Sequence, residues 1–428
     1  MTSAILNELS ARNLIAQTTD IEALKEHLDS QQVTLYCGFD PTAPSLHLGN
    51  LAQIATMRRF QLAGHKPLAL VGGATGLIGD PKMSGERSLN SSEIVDGWVA
   101  LIRGQLERFF DFDGAAACEV VNNYDWTKGI SAIEFLRDIG KHFSVNRMLD
   151  REAVSARLST VGISYTEFSY VLLQSLDFLE LFRSHGCTLQ IGGSDQWGNI
   201  TAGCELVRRV DQGHAHALTT PLITKADGTK FGKTESGTIW LDPEKTSPYA
   251  FYQFWLNSDD RDVPTLLRTY SFKSVEEIEA LIAESAAAPH LRLGQRALAD
   301  EVTAWVHGEQ AARNAAMAGK ALFGQAELSE LPAETLRQAL AEASLNVVHA
   351  QDDRSLGSAV DLLVASGVVT SKGAARRAIE EGGAYINNIK VAGVDEIVSR
   401  ESLVAGAFLV VRRGKKTIGG LEFVGAHA

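Results

Sequence analysis

The sequence contains few cysteines and no segment typical of a membrane protein or a disulfide-rich domain. Its 428 residues include four cysteines, and no two of them form a C-x-x-C pair. A disulfide framework and a structural zinc site are therefore not expected. No apolar run approaches the roughly 18 residues of a membrane span, and the first residues lack a basic segment followed by an apolar block. We expect no membrane association, no signal peptide and a cytoplasmic location.

The net charge of −12 is distributed unevenly along the chain. Residues 355–428 contain nine Lys or Arg against seven Asp or Glu, whereas residues 1–354 contain 31 against 45. A mildly basic C-terminal segment on an acidic body favours a local contact with nucleic acid over one spread across the surface. A chance fluctuation in composition would give the same numbers.

Alternating strand and helix signals in the first half predict a parallel sheet. A strand over VTLYCGF (33–39) is followed by a helix over LGNLAQIATMRRFQLAG (48–64) and a strand over KPLALVGG (66–73). This βαβ unit and a later strand over CTLQIGG (187–193) predict a doubly wound α/β fold. Ligands bind at the carboxyl ends of the strands in such folds, which directs attention to the loops that follow them.

The predicted secondary structure changes twice along the second half of the chain. Residues 248–325 have mainly helical patterns, residues 326–354 are acidic and weakly patterned, and the last segment mixes helices with short strands. A chain of this length is expected to form two or three domains. We predict an α/β domain over 1–246, a helical domain over 247–325, a linker over 326–354 and an α+β domain over 355–428.

The stretch ADGTKFGKTESG (226–237) has the Gly-Lys-Thr ending of a nucleotide-binding P-loop. A P-loop requires G-x-x-x-x-G-K-[ST] between a strand and a helix. Here Gly228 lies four residues before Gly232 instead of five, and the following residues predict a strand. A P-loop is therefore disfavoured, although two lysines three residues apart in a glycine-bearing loop suit phosphate binding.

Two loops after predicted strands contain candidate ligand-binding residues. In FDPTAPSLHLGN (39–50), Thr42, His47 and Asn50 lie at a helix start, where free N–H groups and the helix dipole favour anions. An ordinary capped helix is the alternative. In VGGATGLIGDPKMSGERSLN (71–90), Asp80 suits a cation, and Lys82 and Arg87 follow it. A plain loop explains this second stretch equally well, because it lacks G-x-G-x-x-G.

One predicted helix and one strand end carry further polar residues. In YTEFSYVLLQSLDFLELF (165–182), Tyr170, Gln174 and Asp177 share one face of a helix that is otherwise largely apolar. A small polar ligand would satisfy this stripe if it is buried, whereas solvent or a neighbouring helix is the alternative. QIGGSDQWGNI (190–200) places further polar residues at a strand end, where an acidic residue can hold ribose hydroxyls.

These segments together resemble the class I aminoacyl-tRNA synthetases and, among them, the bacterial tyrosyl-tRNA synthetases. HLGN resembles the HIGH signature, and KFGKT (230–234) resembles the KMSKS loop. The segments YCGFDPTAPSLHLGN, GGATGLIGDP, NNYDW, GISYTEFSY, QIGGSDQWGN and PLITKADGTKFGKT follow the family's order. The resemblance implies a Rossmann-like catalytic domain, a helical anticodon-binding domain and a C-terminal S4-like RNA-binding domain.

The resemblance also implies the reaction and the partners. L-Tyrosine and ATP would form tyrosyl adenylate, with Mg²⁺ delivered by ATP and no metal ion bound by the protein alone. The tyrosine would then pass to tRNA(Tyr), and the enzyme would be a homodimer.

Roles for individual residues follow from the same resemblance. The tyrosine-binding residues would be Tyr36, Asp40, Asp80, Tyr170, Gln174, Asp177, Gln190 and Gln196. The ATP-binding residues would be Thr42, His47, Gly49, Asn50, Asp195, Lys230 and Lys233. Catalysis would rest on Thr42, His47, Asn50, Lys82, Arg87, Lys230, Lys233 and Thr234. RNA would be bound by Lys372, Arg376, Arg377, Arg412, Arg413, Lys415 and Lys416.

The sequence departs from the family signatures at two places. Asn50 replaces the second histidine of HIGH, and KFGKT keeps both lysines of KMSKS but replaces its other residues. Three alternatives remain: a tryptophanyl enzyme, an RNA-binding protein on a synthetase fold, and a dinucleotide oxidoreductase. Tyr36 and Asp177 argue against the first, the retained His47 and lysines against the second, and the missing G-x-G-x-x-G against the third.

Overall fold

The computed structural model describes residues 4–81, 89–160, 162–229, 231–234, 237–349 and 355–424, and of residues 152, 153, 233 and 234 it describes the backbone only. The chain divides into two compact units. The first consists of Met1–Lys245 and Asp259–Ala288, and the second of Thr246–Ser258 and Pro289–Ala428. No described helix has both the length and the hydropathy that a bilayer crossing requires.

The first unit is built on a six-stranded sheet. Its strands are β1 (Gln17–Thr18), β2 (Thr34–Phe39), β3 (Lys66–Val71), β4 (Glu119–Asn122), β5 (Cys187–Gly193) and β6 (His216–Thr220). They lie in the order β1-β6-β5-β2-β3-β4, and all neighbours are parallel except β1 and β6. The strand order reverses between β2 and β5, which is where doubly wound sheets bind ligands. The strands predicted over 33–39, 66–73 and 187–193 are confirmed.

Helices pack around this sheet. They are α1 (Ala4–Ala11), α2 (Ile21–Ser30), α3 (Leu48–Leu62), α4 (Ser92–Leu106), α5 (Tyr124–Thr127), α6 (Ala132–Glu134), α7 (Val145–Leu149), α8 (Glu152–Leu158), α9 (Tyr165–His185) and α10 (Trp197–Asp211). The predicted helix over 165–182 is confirmed as α9, whose start is capped by the Ser164 side chain. Eleven of its residues are buried, so its polar stripe faces the protein interior.

The segment after β6 contains the KFGKT residues. Strands β7 (Lys233–Thr234) and β8 (Gly237–Thr238) form a short antiparallel pair. A strand therefore follows the Gly-Lys-Thr triplet where a P-loop would begin a helix. The residues Gly237-Thr-Ile-Trp-Leu after the lysines predicted a strand over 237–241. The observed strand β8 is shorter and ends at Thr238, and Trp240 forms an isolated antiparallel bridge with His47.

Six helices follow in the chain. They are α11 (Pro248–Leu256), α12 (Val263–Tyr270), α13 (Val275–Ala287), α14 (Leu293–His307), α15 (Glu309–Ala321) and α16 (Ala333–Ala343). The helical prediction for 248–325 agrees with this arrangement. The two compact units divide the segment, since α12 and α13 group with the first unit and the other four helices with the second.

The segment 326–354, for which we predicted a linker, is instead largely folded. It contains α16 and strand β9 (Leu345–His349). Leu336, Ala339 and Leu340 of α16 are buried, and β9 forms the edge of a sheet. The helical spacing of these three residues was obscured by the acidic composition around them. Residues 350–354 lie outside the described part of the chain.

The C-terminal part of the second unit has the predicted α+β character. After β9 come β10 (Ser355–Ser358), α17 (Ala359–Ala365), α18 (Lys372–Glu380), β11 (Ala384–Ile386), β12 (Ile389–Lys390), β13 (Ile397–Ser399), β14 (Phe408–Arg413) and β15 (Thr417–Val424). Five strands form a sheet in the order β12-β11-β14-β15-β9. Leu363 of α17 packs with Leu409 and Leu421 of the sheet in one apolar core.

Candidate active site

A cleft of about 380 Å³ lies at the carboxyl ends of the central strands of the first unit. It brings together these residues predicted for tyrosine and ATP binding: Tyr36, Asp40, Thr42, His47, Gly49, Asn50, Asp80, Tyr170, Gln174, Asp177, Gln190, Asp195 and Gln196. Its volume falls within the range of small-molecule sites. Elements distant in sequence thus converge where the sheet topology predicts ligand binding.

The remaining predicted residues of this site are only partly described. Lys82, Arg87 and Lys230 lie outside the described residues. Of Lys233 and Thr234 the backbone is described, and it forms β7.

Tyr36 and Asp177 are both buried in the cleft wall. Tyr36 is 1% exposed, and within the described part of the chain its hydroxyl has no hydrogen-bond partner. Asp177 accepts hydrogen bonds from Asn123 Nδ2 and Trp126 Nε1, both at 3.0 Å. Burial raises the pKa of Asp177 to about 8, although these two donors oppose the shift. Burial and the nearby Asp177 also raise the pKa of Tyr36 well above its usual value.

A hydrogen-bond network connects Asp177 with Tyr170. Asn123 Nδ2 donates to Thr75 Oγ1 at 3.0 Å, and Thr75 donates to Asp40 Oδ1 at 2.6 Å. Tyr170 donates its hydroxyl to Asp40 Oδ2 at 2.6 Å. Asn123 Oδ1 also accepts the N–H of residue 74 at 2.7 Å. The network fixes both carboxylates, because each carboxyl oxygen of Asp40 and Asp177 accepts a hydrogen bond.

Thr75, Asn123 and Trp126 had no role predicted from the sequence. All three lie in segments that carry the family resemblance, GGATGLIGDP and NNYDW. Asn123 directly follows β4, and Trp126 lies three residues further on. Their position after a parallel strand is the sequence feature that could have identified them as site residues.

Asp80 is held by residues from the start of α10. Gln196 Nε2 donates to Asp80 Oδ2 at 2.9 Å, and Asn199 Nδ2 donates to Asp80 Oδ1 at 3.1 Å. Arg151 Nη1 donates to Asn199 Oδ1 at 2.6 Å. Burial lowers the pKa of Arg151 to about 10, and Asp80 opposes this shift. Asn199 and Arg151 were missed by the sequence analysis, since neither stands in a recognisable pattern with Asp80.

Three polar atoms on the cleft wall are buried without a hydrogen-bond partner in the described structure. They are Tyr36 Oη, Gln174 Oε1 and Gln190 Oε1. An unsatisfied buried polar group costs about 1–3 kcal/mol. A polar ligand in the cleft would offset this cost, so these atoms point to a bound small molecule with donor groups.

His47 caps the N-terminus of α3. Its Nδ1 accepts the N–H groups of Gly49 at 3.1 Å and Asn50 at 3.4 Å, and Asn50 Oδ1 accepts the His47 N–H at 3.1 Å. Because Nδ1 is an acceptor, a neutral His47 ring carries its proton on Nε2. A Cβ on Gly49 would lie 3.0 Å from the ring. His47 therefore caps α3 through Nδ1 while its Nε2–H is a hydrogen-bond donor. This donor lies at the positive end of the helix, where a phosphate binds favourably.

The predicted RNA-binding residues lie in the second unit. Lys372, Arg376 and Arg377 lie on α18 and are exposed, with Lys372 Nζ 2.6 Å from Asp361 Oδ1. Arg413 at the end of β14 and Lys415 and Lys416 in the following turn are exposed as well.

Arg412 differs from the other predicted RNA-binding residues. Its guanidinium carbon lies 4.7 Å from the centre of the Tyr385 ring, and Nη1 donates to the carbonyl of Phe323 at 3.4 Å. Arg412 therefore contributes to packing within the second unit.

The chain matches two protein-family models. Residues 28–324 match the model described as tRNA synthetases class I (W and Y). Residues 339–418 match the model of the tyrosine--tRNA ligase SYY-like C-terminal domain. Together the two matches cover most of both compact units.

The chain is similar to tyrosine--tRNA ligases among curated sequences and to a tyrosyl-tRNA synthetase among solved structures. The chain is 59% identical to the tyrosine--tRNA ligase of Streptomyces avermitilis over 98% of this chain and 99% of that protein. It is 57% identical to the tyrosine--tRNA ligase of Streptomyces coelicolor over 99% of each. A C-terminally truncated mitochondrial tyrosyl-tRNA synthetase of Coccidioides posadasii superposes with a TM-score of 0.65 at 31% identity, covering 73% of this chain and 90% of that one.

Proposed function

The chain belongs to the class I tRNA synthetases of the tyrosine and tryptophan group, and from this premise we propose how its cleft performs the reaction of a tyrosine--tRNA ligase. The enzyme joins L-tyrosine to ATP as tyrosyl adenylate and releases pyrophosphate. It then transfers tyrosine to the 3′-terminal adenosine of tRNA(Tyr).

The observation that carries the proposal is the pairing of two buried groups in one cleft. The Tyr36 hydroxyl lacks a partner in the described structure, and Asp177 is a carboxyl group held by two donors. A phenol hydroxyl both donates and accepts, so it can bind Asp177 and Tyr36 together, whereas an indole N–H only donates. These groups therefore suit tyrosine better than tryptophan. Phenylalanine lacks the hydroxyl and would leave Tyr36 and Asp177 without a partner in the substrate, which is the known way in which tyrosyl-tRNA synthetases reject it.

The α-amino and carboxylate groups of tyrosine would bind at the opposite end of the network. Asp80, fixed by Gln196 and Asn199, provides a negative charge for the ammonium group. Gln174 Oε1 is a buried acceptor without a described partner, and the ammonium group has three protons to donate. In this arrangement Tyr170 and Asp40 orient the adjacent wall of the cleft, and Gln190 forms the rest of that wall. Gln196 approaches the carboxylate of the bound tyrosine.

ATP would occupy the part of the cleft near the start of α3. His47 and Asn50 stand at the positive end of that helix, and Thr42 offers a hydroxyl. Gly49 leaves space against the backbone, and Asp195 lines the same cleft and would accept the ribose hydroxyls. Mg²⁺ would arrive with ATP and be held mainly by phosphate and water oxygens.

The chemistry needs no general base, because the tyrosine carboxylate is ionised at neutral pH and attacks the α-phosphorus directly. The protein's contribution is positioning and stabilisation of the charge that develops on the leaving pyrophosphate. Lys82, Arg87, Lys230, Lys233 and Thr234 would supply cationic and hydroxyl donors there. His47 Nε2 would add a donor at the phosphate chain.

Two parts of the chain would bind tRNA(Tyr). We assign anticodon-arm binding to the helical segment 247–325, which the two units share, and further RNA contacts to an S4-like domain over 355–428. Exposed cations on α18 and in the β14–β15 turn support this assignment, since such side chains position phosphates. Because it acts on tRNA(Tyr), we propose that the enzyme works in the cytoplasm.

Exposed apolar side chains support a homodimer. Ile133, Leu136, Val145, Leu158 and Tyr165 of the first unit are between 49% and 70% exposed. Large apolar side chains that one chain leaves exposed lose their contact with water when two copies associate, which is favourable. Sedimentation at micromolar concentration should therefore give twice the mass of one chain, and a single-chain mass would contradict the dimer.

Aminoacylation of tRNA(Tyr) with labelled tyrosine and ATP tests the whole reaction. The unaltered protein should charge tRNA(Tyr), and Asp80→Asn should charge it at least tenfold more slowly at subsaturating tyrosine, because the charge partner of the ammonium group is lost. Charging of tRNA(Tyr) by neither protein, in folded material, would contradict the proposal.

A further inference from the structure

Tyr270 connects two segments of the proposed active site without lying in the cleft. It is the last residue of α12 and is fully buried. Its hydroxyl donates to the carbonyl of Leu48 at 2.9 Å. Leu48 is the first residue of α3 and directly follows His47. Tyr270 is therefore fixed to the helix start that would face ATP.

The ring of Tyr270 also packs against the KFGKT segment. Its centroid lies 6.1 Å from that of the Phe231 ring, with an interplanar angle of 35°. Phe231 and Gly232 stand between Lys230 and Lys233 in the sequence. One side chain thus contacts both the helix start and the middle of the lysine-bearing segment.

Gly232 also lies close to the start of α3. Its φ of +79° is the left-handed conformation that favours glycine, and a Cβ there would lie 3.1 Å from the Cβ of Leu48. The Gly232 carbonyl accepts the N–H of Ile239 at 2.9 Å. Leu48 consequently has Gly232 packed against its side chain and Tyr270 bonded to its carbonyl.

The chain that follows the segment is bonded to the same region. Leu241 N–H donates to the carbonyl of Leu46 at 2.9 Å, and His47 forms an antiparallel bridge with Trp240. The base of the segment and the helix start are therefore held together by backbone bonds. Tyr270 adds the side-chain contact that reaches Phe231, between the two lysines.

We propose that Tyr270 is a positioning residue for adenylate formation, which sets the placement of the Phe231–Gly232 pair relative to the start of α3. The pair directly precedes Lys233, so its placement sets the path of the backbone of the lysine-bearing segment, a role that rests on the ligase function proposed above. Because interactions made in the transition state control kcat, loss of this contact should lower kcat more than it raises KM for tyrosine.

The test is pyrophosphate exchange into ATP by Tyr270→Phe, which keeps the ring and removes the bond to Leu48. We expect kcat to fall about five- to tenfold, the effect of one buried hydrogen bond. KM for tyrosine should stay within about twofold, because Tyr270 does not line the cleft. Tyr252→Phe is the matched control: it removes a hydroxyl that donates to Asp300 at 2.8 Å in the second unit, and it should leave exchange unchanged.

Phe231→Leu tests the proposed role of Tyr270 independently, because it removes the ring with which Tyr270 packs. It should lower kcat with the same unchanged KM for tyrosine. The double variant should be no slower than the more impaired single variant, because the bond to Leu48 and the ring contact with Phe231 are two parts of the same connection through Tyr270. If Tyr270→Phe does not fold, Phe231→Leu alone decides. Wild-type kcat in folded Tyr270→Phe, or fully multiplicative effects in the double variant, would overturn the inference. Absence of exchange by the unaltered protein would instead contradict the ligase function, and the inference would fall with it.

Discussion

Asn123 donates from one amide nitrogen to both Asp177 Oδ2 and Thr75 Oγ1, at 3.0 Å in each case. It therefore joins the carboxyl group proposed to bind the tyrosine phenol to the Thr75–Asp40–Tyr170 chain of hydrogen bonds. A residue that touches no part of the proposed substrate thus determines the geometry of two groups that do. Satisfied buried networks of this kind specify a single arrangement of their members.

Replacement of Asn123 by Ala should weaken tyrosine binding. It removes the donor to Thr75 Oγ1 and to Asp177 Oδ2, while Trp126 still donates to Asp177 Oδ1, and each unsatisfied buried group costs about 1–3 kcal/mol. We expect KM for tyrosine in pyrophosphate exchange to rise roughly tenfold or more. KM for ATP serves as the internal control and should not change, since Asn123 lies outside the proposed ATP site. An equal rise in both constants would indicate a general disturbance of the cleft instead.

The raised pKa of Asp177 makes a prediction about stability. The folded-state pKa of about 8 exceeds the unfolded value of about 4, so the folded protein retains a proton that the unfolded chain releases. Stability should therefore fall as pH rises between these values, by up to about 1.4 kcal/mol for each pH unit. The Asp177→Asn variant has no titrating group at this position. The pH dependence of the unfolding free energy that comes from Asp177 should therefore be absent in this variant.

Urea unfolding of both proteins at pH 5, 6, 7 and 8 measures the difference. The free energy of unfolding of the unaltered protein, relative to Asp177→Asn, should decrease steadily across the series. Parallel pH profiles for the two proteins would show that Asp177 is ionised throughout this range.

The ion pair between Arg157 and Glu167 should be essential to the segment that leads into α9. Arg157 Nη1 lies 3.1 Å from Glu167 Oε2, and both side chains are 2% exposed. Removing one partner of a buried pair costs about 3–5 kcal/mol. We expect that loss in unfolding free energy for Arg157→Met and for Glu167→Gln, and a smaller loss for the double variant.

Arg103→Met is the control for this pair, since it breaks an exposed contact with Glu107 in which both side chains are about half exposed. It should change the unfolding midpoint little. Single variants of Arg157 and Glu167 that unfold like Arg103→Met would contradict the importance of the buried pair.

Arg412 and Arg413 are neighbours in sequence with opposite expected roles. Arg413→Ala should weaken tRNA(Tyr) binding and reduce its salt dependence without changing stability, because Arg413 is exposed. Arg412→Ala should lower the unfolding midpoint, because it loses the Tyr385 ring and the Phe323 carbonyl. Filter binding at two salt concentrations and thermal unfolding distinguish the two. Equal losses of tRNA affinity without any loss of stability would contradict this division.

The sequence was sufficient to predict the central strands and α9, because their apolar runs and polar stripe are local features. The grouping of Tyr36, Asp80 and Asp177 in one tyrosine-binding site was predicted from the family resemblance, and all three line the cleft. The partners that hold them could not be predicted in this way. Asn199 reaches Asp80 across 119 residues, and no local pattern encodes such a contact.

The segment over 326–354 shows the opposite limitation. Its composition suggested a linker, yet Leu336 and Leu340 have helical spacing and become buried. Packing against a sheet formed by later residues stabilises α16, and this partner lies outside any sequence window that contains the helix.

Pyrophosphate exchange into ATP, with tyrosine, phenylalanine and tryptophan offered separately and without tRNA, tests whether the cleft selects a phenol for adenylate formation. We expect exchange with tyrosine and little with the other two, because only the phenol satisfies both Tyr36 and Asp177. Exchange with tryptophan would contradict this reading of the cleft while leaving the fold intact. Absence of exchange with all three, in protein shown to be folded, would contradict the proposed adenylate chemistry itself.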